Sequence, residues 1–484
     1  MYHSEKAHPN ASTKPAAAEY QNPHKLSTRL LPNTIPPARA YFRELIGNRM
    51  AGASAWYIVS ALANRGLNFL AMAITARYLG REQFGQLGIV LSTIGMVVGY
   101  ASLGLGAAAS KYVAEFRDSS PERASGILAL SAGIATVAGA VAAAVLFILR
   151  HQIASKLFAD PGLAGCITIG SAILLFGVVS LAQAGAMAGL EAFRPMARTN
   201  VLTAAISLPL VVLATRFAAL QGALWGLLAT GALNCACFHF VIWKLCRGRN
   251  LPRPTVASVL AERKLMVQFS LPALFTSAII GSVTWFCGVL IVRTGGGFSQ
   301  FGLYTAADKW RQLLLFPTTC VTSAALPIMA NACGRRDSGA FNRAVRDMLA
   351  LATLSTVLPS LLLAAGSKIG MEAFGKDFKN GACVLALASL AAIPAMFNTI
   401  LGLPMIAAGR MWTRVAYDIA LAVLLLVGTL LLVPRLEAVG AALAQLLAYG
   451  TISAALSVSI RRSMPAPAAE PRDTAVVSMV SSES

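Results

Sequence analysis

Residues 54–78, SAWYIVSALANRGLNFLAMAITARY, and residues 84–108, FGQLGIVLSTIGMVVGYASLGLGAA, decide the fold. About 20 apolar residues in a helix cross the roughly 30 Å of a bilayer's hydrocarbon. Both stretches exceed that length, and only residues 79–83 separate them. Similar runs follow near 125–149, 163–189, 198–217, 220–245, 268–292, 300–330, 345–367, 381–407, 413–433 and 436–460, which makes twelve predicted spans. Composition agrees. Of the 484 residues, 56% are hydrophobic and 12% are charged, against about 25% charged in an average soluble domain. The chain reads as an all-α polytopic membrane protein, which excludes ordinary soluble enzymes, nucleic-acid binders and disulfide scaffolds.

The net charge of +20 comes from 40 Lys and Arg against 20 Asp and Glu. With the N-terminus in the cytoplasm, 27 of the basic residues fall on that side, 10 fall on the other, and Arg65, Lys309 and Arg311 lie inside spans. Cytoplasmic loops collect Lys and Arg, so the split predicts both ends inside. It also organises the chain into a basic segment 1–51, a six-helix half 52–245, a basic linker 246–267, a second half 268–460 and a polar tail 461–484. Residues 1–51 hold no long apolar run, so no cleavable signal peptide is expected. Phe42, Leu45, Ile46 and Met50, interleaved with Arg39, Arg43 and Arg49, suit either a short helix on an anionic membrane surface or an unstructured tail. The eight cysteines fall mostly in apolar runs and read as small buried hydrophobes. Cys235, Cys237 and His239 lack zinc spacing, and no metal or other cofactor is expected.

The halves resemble each other at an offset near 217. Gln83-Phe84-Gly85 matches Gln300-Phe301-Gly302, and Arg77 matches Arg293. Arg117-Asp118-Ser119 matches Arg336-Asp337-Ser338, and Arg216 and Gly222 match Arg435 and Gly440. Six spans per half is an even number, so both halves enter from the same side. Such a parallel repeat has its axis along the membrane normal and places a substrate path between the halves.

Four stretches carry a family resemblance. Ala76–Leu91 (ARYLGREQFGQLGIVL) resembles the first-loop signature of polysaccharide flippases in the multidrug/oligosaccharidyl-lipid/polysaccharide exporter superfamily. Ala188–Arg194 (AGLEAFR) is similar to their turn after the fourth span, Tyr304–Pro327 to their eighth span, and Leu431–Tyr449 to their last hairpin. The likeness covers roughly residues 52–460; the long N-terminal segment is outside it. The resemblance implies a bacterial inner-membrane exporter of oligosaccharide repeat units linked to undecaprenyl pyrophosphate, for exopolysaccharide, capsule or O-antigen synthesis. Its implied partners are membrane lipids and a polysaccharide polymerase with chain-length machinery.

Charges inside the spans are the candidate site. Each costs about 2.5–3.5 kcal/mol at mid-bilayer and so faces a partner or a water-filled cavity. Arg65 shares a polar patch with Asn64 and Asn68 on the first span. It suits a pyrophosphate anchor, since guanidinium forks onto phosphate oxygens, or a structural pair. The eighth span carries Asp308, Lys309, Arg311 and Gln312. Asp308 and Arg311 can pair at i, i+3, whereas Lys309 lies beside Thr305 and Gln312 and points to the cavity. Asp308 and Asp418 are the candidates for ion coupling, and Asp418 can instead pair with Arg414 four residues earlier. Lys111 sits where the second span meets the cytoplasm and serves topology or a lipid headgroup. Pro209, Pro317, Pro327, Pro359, Pro394 and Pro404 can kink their helices. Gly295, Gly296 and Gly297 read as a flexible outer loop, and Gly104 and Gly106 as close packing positions.

Two other functions compete. A cation-coupled multidrug exporter of the same superfamily wants an acidic cavity, yet the first half has no mid-membrane acid. A membrane glycosyltransferase wants a reactive group on a large outer loop, but the longest ones, near Arg150–Gly162 and Lys368–Lys379, are short. The sequence therefore reads as a transporter working by alternating access, not an enzyme.

Overall fold

The computed structural model describes residues 49–249, 252, 254–255, 279–294, 296–334, 338–407 and 411–463. The segment up to residue 48, with most of the interfacial helix expected near its end, lies outside them, as do most of the 246–267 linker and the tail beyond 463. Every regular element among the described residues is helical: α1 (Arg49–Ala101), α2 (Leu105–Phe116), α3 (Pro121–Gln152), α4 (Ala164–Gly189), α5 (Phe193–Gly248), α6 (Ile279–Arg293), α7 (Gly297–Gly334), α8 (Ser338–Ala365), α9 (Ser367–Glu372), α10 (Ala382–Ala407) and α11 (Met411–Ser463).

Three of these are hairpins of two arms. In α1 the bend is Gly80, whose φ of 70° and ψ of 175° belong to a region that is essentially glycine-only. The chain folds back there, since Phe69 and Phe84, on either side of the bend, both pack on Phe374 at 5.5 and 5.9 Å. In α5 the bend is at Ala218–Ala219, and Thr230 on the returning arm bonds Ser207 on the outgoing one at 3.3 Å. In α11 it is Glu437, after which Gly440 packs on Leu432 and Ala444 on Gly428. With each hairpin counted as two arms, the described residues hold eleven long helical arms and the shorter α6, which is consistent with the twelve spans read from the sequence.

The backbone is consistent with the repeat. Ala219 (φ 44°, ψ −126°) and Glu437 (φ 51°, ψ −127°) adopt the same sparsely populated conformation at matching places in the two halves. A Cβ on Gly222 would overlap the carbonyl of Ala214, and one on Gly440 that of Leu432, at the same spacing in each case. The halves also touch reciprocally. Gly85 approaches the carbonyl of Phe298 and Gly302 approaches that of Arg81, each partner lying one helical turn before the other glycine. This is the isologous contact of a two-fold relation, with its axis between the second arm of α1 and α7.

The outward faces are apolar, as a lipid solvent requires. Val137, Val141 and Ile148 on α3 and Leu354, Leu358 and Leu362 on α8 are exposed, while inner surfaces use small residues that let helices close in. Gly106 on α2 and Gly185 on α4 are such a pair. The span placed at 84–108 is broken: α1 ends at Ala101, and Leu103 (φ 48°) and Gly104 (φ 66°) turn the chain before α2. Gly104 thus supplies a left-handed turn, not a packing surface; an apolar run alone does not reveal such a break. The stretch expected as an outer loop at Arg150–Gly162 is also largely helical, because α3 runs on to Gln152 and through a π-helical turn, Ile153–Leu157.

Candidate functional site

The eighth arm, α7, divides its charges by helical spacing. Arg311 donates to Asp308 Oδ1 from Nε at 2.9 Å and from Nη2 at 2.6 Å. Gln312 Nε2 donates to the other carboxylate oxygen at 2.7 Å. Both oxygens of Asp308 are therefore engaged within its own helix. The pair is shielded, with side chains 22% and 14% exposed for Asp308 and Arg311. One turn away, Tyr304 accepts a hydrogen bond from Gln445 of α11 at 2.6 Å, which ties this stretch to the last arm.

Lys309 points differently. It lines a cavity of about 270 Å³ between the first hairpin and the α6–α7 pair. Met72, Leu87 and Ser92 of α1, Thr284 of α6, and Thr305, Asp308 and Gln312 of α7 share that lining. Among the described residues no carboxylate lies within ion-pair distance of the Lys309 ammonium. Thr305 Oγ1 is buried there without a hydrogen-bond partner. The result is an apolar wall with one ammonium, hydroxyls and an amide, the usual make-up of a site that orients a polar ligand.

Arg65 lies outside the cavity lining. Its guanidinium sits over the ring of Phe316 at 5.7 Å. Phe316 follows Lys309 by two helical turns, so Arg65 faces the stripe that Lys309 and Gln312 begin. Asn68 donates to the backbone and side-chain oxygens of Asn64 at 2.8 and 2.7 Å, so these two amides engage each other beside Arg65. Asp418 is elsewhere. Arg414 holds it from two nitrogens at 2.7 and 3.2 Å and also reaches the Asn398 carbonyl at 2.9 Å. Lys111 extends over the ring of Tyr112 at 4.9 Å on α2.

Thr305 beside Lys309 was legible in the sequence; Ser92 and Thr284 as lining residues were not, nor was the bond from Trp285 to Thr93 at 2.9 Å that joins α6 to the first hairpin. Isolated hydroxyls in apolar helices give no signal. Gly88 packs on Thr305, its own counterpart in the second half. On the opposite face, Arg117 donates to Glu191 at 2.7 Å and to the Gly189 carbonyl at 3.2 Å. The hydrogen bond to Glu191 raises the guanidinium above its ordinary range, helped by Asp118. That contact explains why the AGLEAFR turn carries its glutamate.

Residues 52–332 match the family described as polysaccharide biosynthesis protein. The EPS I polysaccharide export inner membrane protein EpsE of Ralstonia solanacearum is 22% identical over 368 residues, which cover 75% of this chain and 82% of that one. Among solved structures, the lipid II flippase MurJ in an inward closed conformation is similar at a TM-score of 0.67 and 14% identity, over 84% of this chain and 87% of that one. An inward-facing multidrug resistance MATE family transporter of the MOP superfamily also gives 0.67 at 14% identity, over 82% and 94%. At such identities the likeness is one of fold, and it is the fold of multispan transporters. The family match spans more than half of the chain: this is a membrane protein of the polysaccharide biosynthesis protein family, built on a transporter fold.

Proposed function

We propose that this protein is an inner-membrane flippase that moves oligosaccharide repeat units, linked to undecaprenyl pyrophosphate, between leaflets by alternating access. The observation that carries this reading is Lys309, an ammonium in a cavity between the halves whose neighbouring carboxylate, Asp308, is held by Arg311 and Gln312. Counted with Arg65, these membrane charges sum to +2. Low-dielectric walls amplify the preference of such a site for an anion. Lys309 binds the pyrophosphate as a point charge, Arg65 meets it from the first arm, and Thr305, Ser92 and Gln312 supply hydrogen bonds. The polyprenyl tail stays in lipid.

The cavity of about 270 Å³ is too small for a whole repeat unit, since drug-sized ligands already fill about 300–1,000 Å³. The halves must separate further to load the sugars. The chain ends lie in the cytoplasm, and the flipped unit passes to a polysaccharide polymerase and chain-length machinery. The family and the Ralstonia relative, whose printed name is a polysaccharide export protein, support this reading over a drug exporter. A cationic drug would need the carboxylate that Arg311 occupies.

The test is transport in proteoliposomes of a fluorescent polyprenyl-pyrophosphate oligosaccharide, run beside efflux of a lipophilic cationic dye. The proposal expects the glycolipid to cross and the dye to stay. Dye transport without glycolipid movement, across a panel of glycans, would overturn it in favour of the cation exporter.

A further inference from the structure

On the face that holds the bends at Gly80, Ala219 and Glu437, each half grips the other with one arginine. Arg77 Nε, in the first half, donates to the carbonyl of Ala373 in the second at 2.9 Å. Arg293, its counterpart in the repeat, donates through Nη1 to the carbonyl of Lys156 in the first half. Lys156 and Ala373 lie within one residue of matching places in the repeat, two residues before Phe158 and one before Phe374. The two bonds are closely similar contacts, each running from an arginine of one half to a backbone carbonyl of the other.

The receiving segments are built alike. Ala373 is the C-cap of α9, and Lys156 lies in the π-helical turn that ends α3. Carbonyls at helix ends lack intrahelical partners and carry partial negative charge, so they attract guanidinium. A buried phenylalanine follows each, Phe158 and Phe374, then a residue with positive φ, Ala159 at 55° and Gly375 at 135°. Next comes an aspartate, Asp160 or Asp377, in or beside a 3-10 turn. Between the two grips lies the Gly85–Gly302 contact, where each backbone meets the other without a side chain between.

We infer that Arg77 and Arg293 form a two-part clasp that holds this face shut while the Lys309 cavity is reached from the opposite face, with Gly85 and Gly302 as the seal beneath it. Both arginines are exposed, so water replaces each carbonyl as the face opens, and the clasp biases the equilibrium without locking it. Arg77 and Arg293 are positioning residues for transport; neither lines the cavity. The inference rests on the alternating-access part of the proposed function and not on its substrate.

A distance measurement without substrate tests it. In a form with the eight native cysteines replaced, spin labels at Ser155→Cys and Lys376→Cys report the separation of the two receiving segments in nanodiscs. The clasped protein shows mainly a short distance. Arg77→Gln and Arg293→Gln each raise a longer population about fivefold, equally by symmetry, and the double variant multiplies the effects, as expected for exposed charge-assisted hydrogen bonds. Gly302→Ala, whose Cβ would overlap the Arg81 carbonyl, drives the longer population without touching either arginine; Gly85→Ala does the same from the other side. An unchanged distribution in the double arginine variant, with Gly302→Ala lengthened, would overturn the clasp and leave alternating access standing. No change in any variant would overturn both, because the face would then never open.

Discussion

The two halves are alike where backbone meets backbone and unlike where charge enters the membrane. Gly85 and Gly302, the bends at Ala219 and Glu437, and the Arg77 and Arg293 grips all keep the repeat in register. The middle of the second arm breaks it. At the same offset of 217, Leu91, Ser92, Ile94 and Gly95 stand where α7 has Asp308, Lys309, Arg311 and Gln312. Ser92 and Lys309 line one cavity from opposite halves. Conversely, Arg65 on the first arm has Ser282 as its counterpart. Closing a face twice over favours symmetry, since each half must fit the other. Binding one anionic head does not, and the proposed site lies among the asymmetric residues.

The sharpest way to break this comparison is Asp308→Asn. It leaves the Arg311 guanidinium shielded and without its carboxylate, which costs about 3 kcal/mol. Thermal unfolding in detergent should show that loss. The matching change in the first half, Leu91→Met, conserves volume and should cost less than about 1.5 kcal/mol. Equal losses at both sites would mean that the ion pair has no special place in the second half.

A smaller effect is expected at Thr305, which packs on its own counterpart Gly88 and leaves its hydroxyl without a partner. Thr305→Val keeps the shape and removes the buried orphan, so it should raise stability by about 1 kcal/mol. If the hydroxyl meets substrate, glycolipid flipping should fall severalfold in the same variant. Higher stability with undiminished flipping would remove Thr305 from the site.

Much of the architecture was legible because lipid imposes it. Apolar runs near bilayer length announced an all-helical membrane protein, and the helical arms and the Gln-Phe-Gly contacts are consistent with the twelve spans and the repeat. The break at Leu103–Gly104 was not legible, since a turn inside an apolar run leaves composition unchanged. Of the candidate residues, the structure gathers Lys309, Asp308 and Gln312 at one cavity and puts Arg65 beside the same helix face, over Phe316. It separates Asp418, which Arg414 ties to Asn398 on α10. Spacing along one helix identified the Asp308–Arg311 and Arg414–Asp418 pairs. Thr305 follows from helical spacing before Lys309, but the lining hydroxyls of Ser92 and Thr284 depend on how four arms meet, and no local pattern encodes that.

The proposed function turns on Lys309, a positive charge between the halves that would hold an anionic lipid headgroup. The most direct measurement is the glycolipid flipping rate of Lys309→Gln and Lys309→Arg against the intact protein, with thermal unfolding as the check on folding. The account predicts a loss of at least about tenfold for Lys309→Gln, in line with about 1.5–3 kcal/mol for a hydrogen bond to a charged group, and substantial recovery for Lys309→Arg. Unchanged flipping in a well-folded Lys309→Gln protein would contradict it.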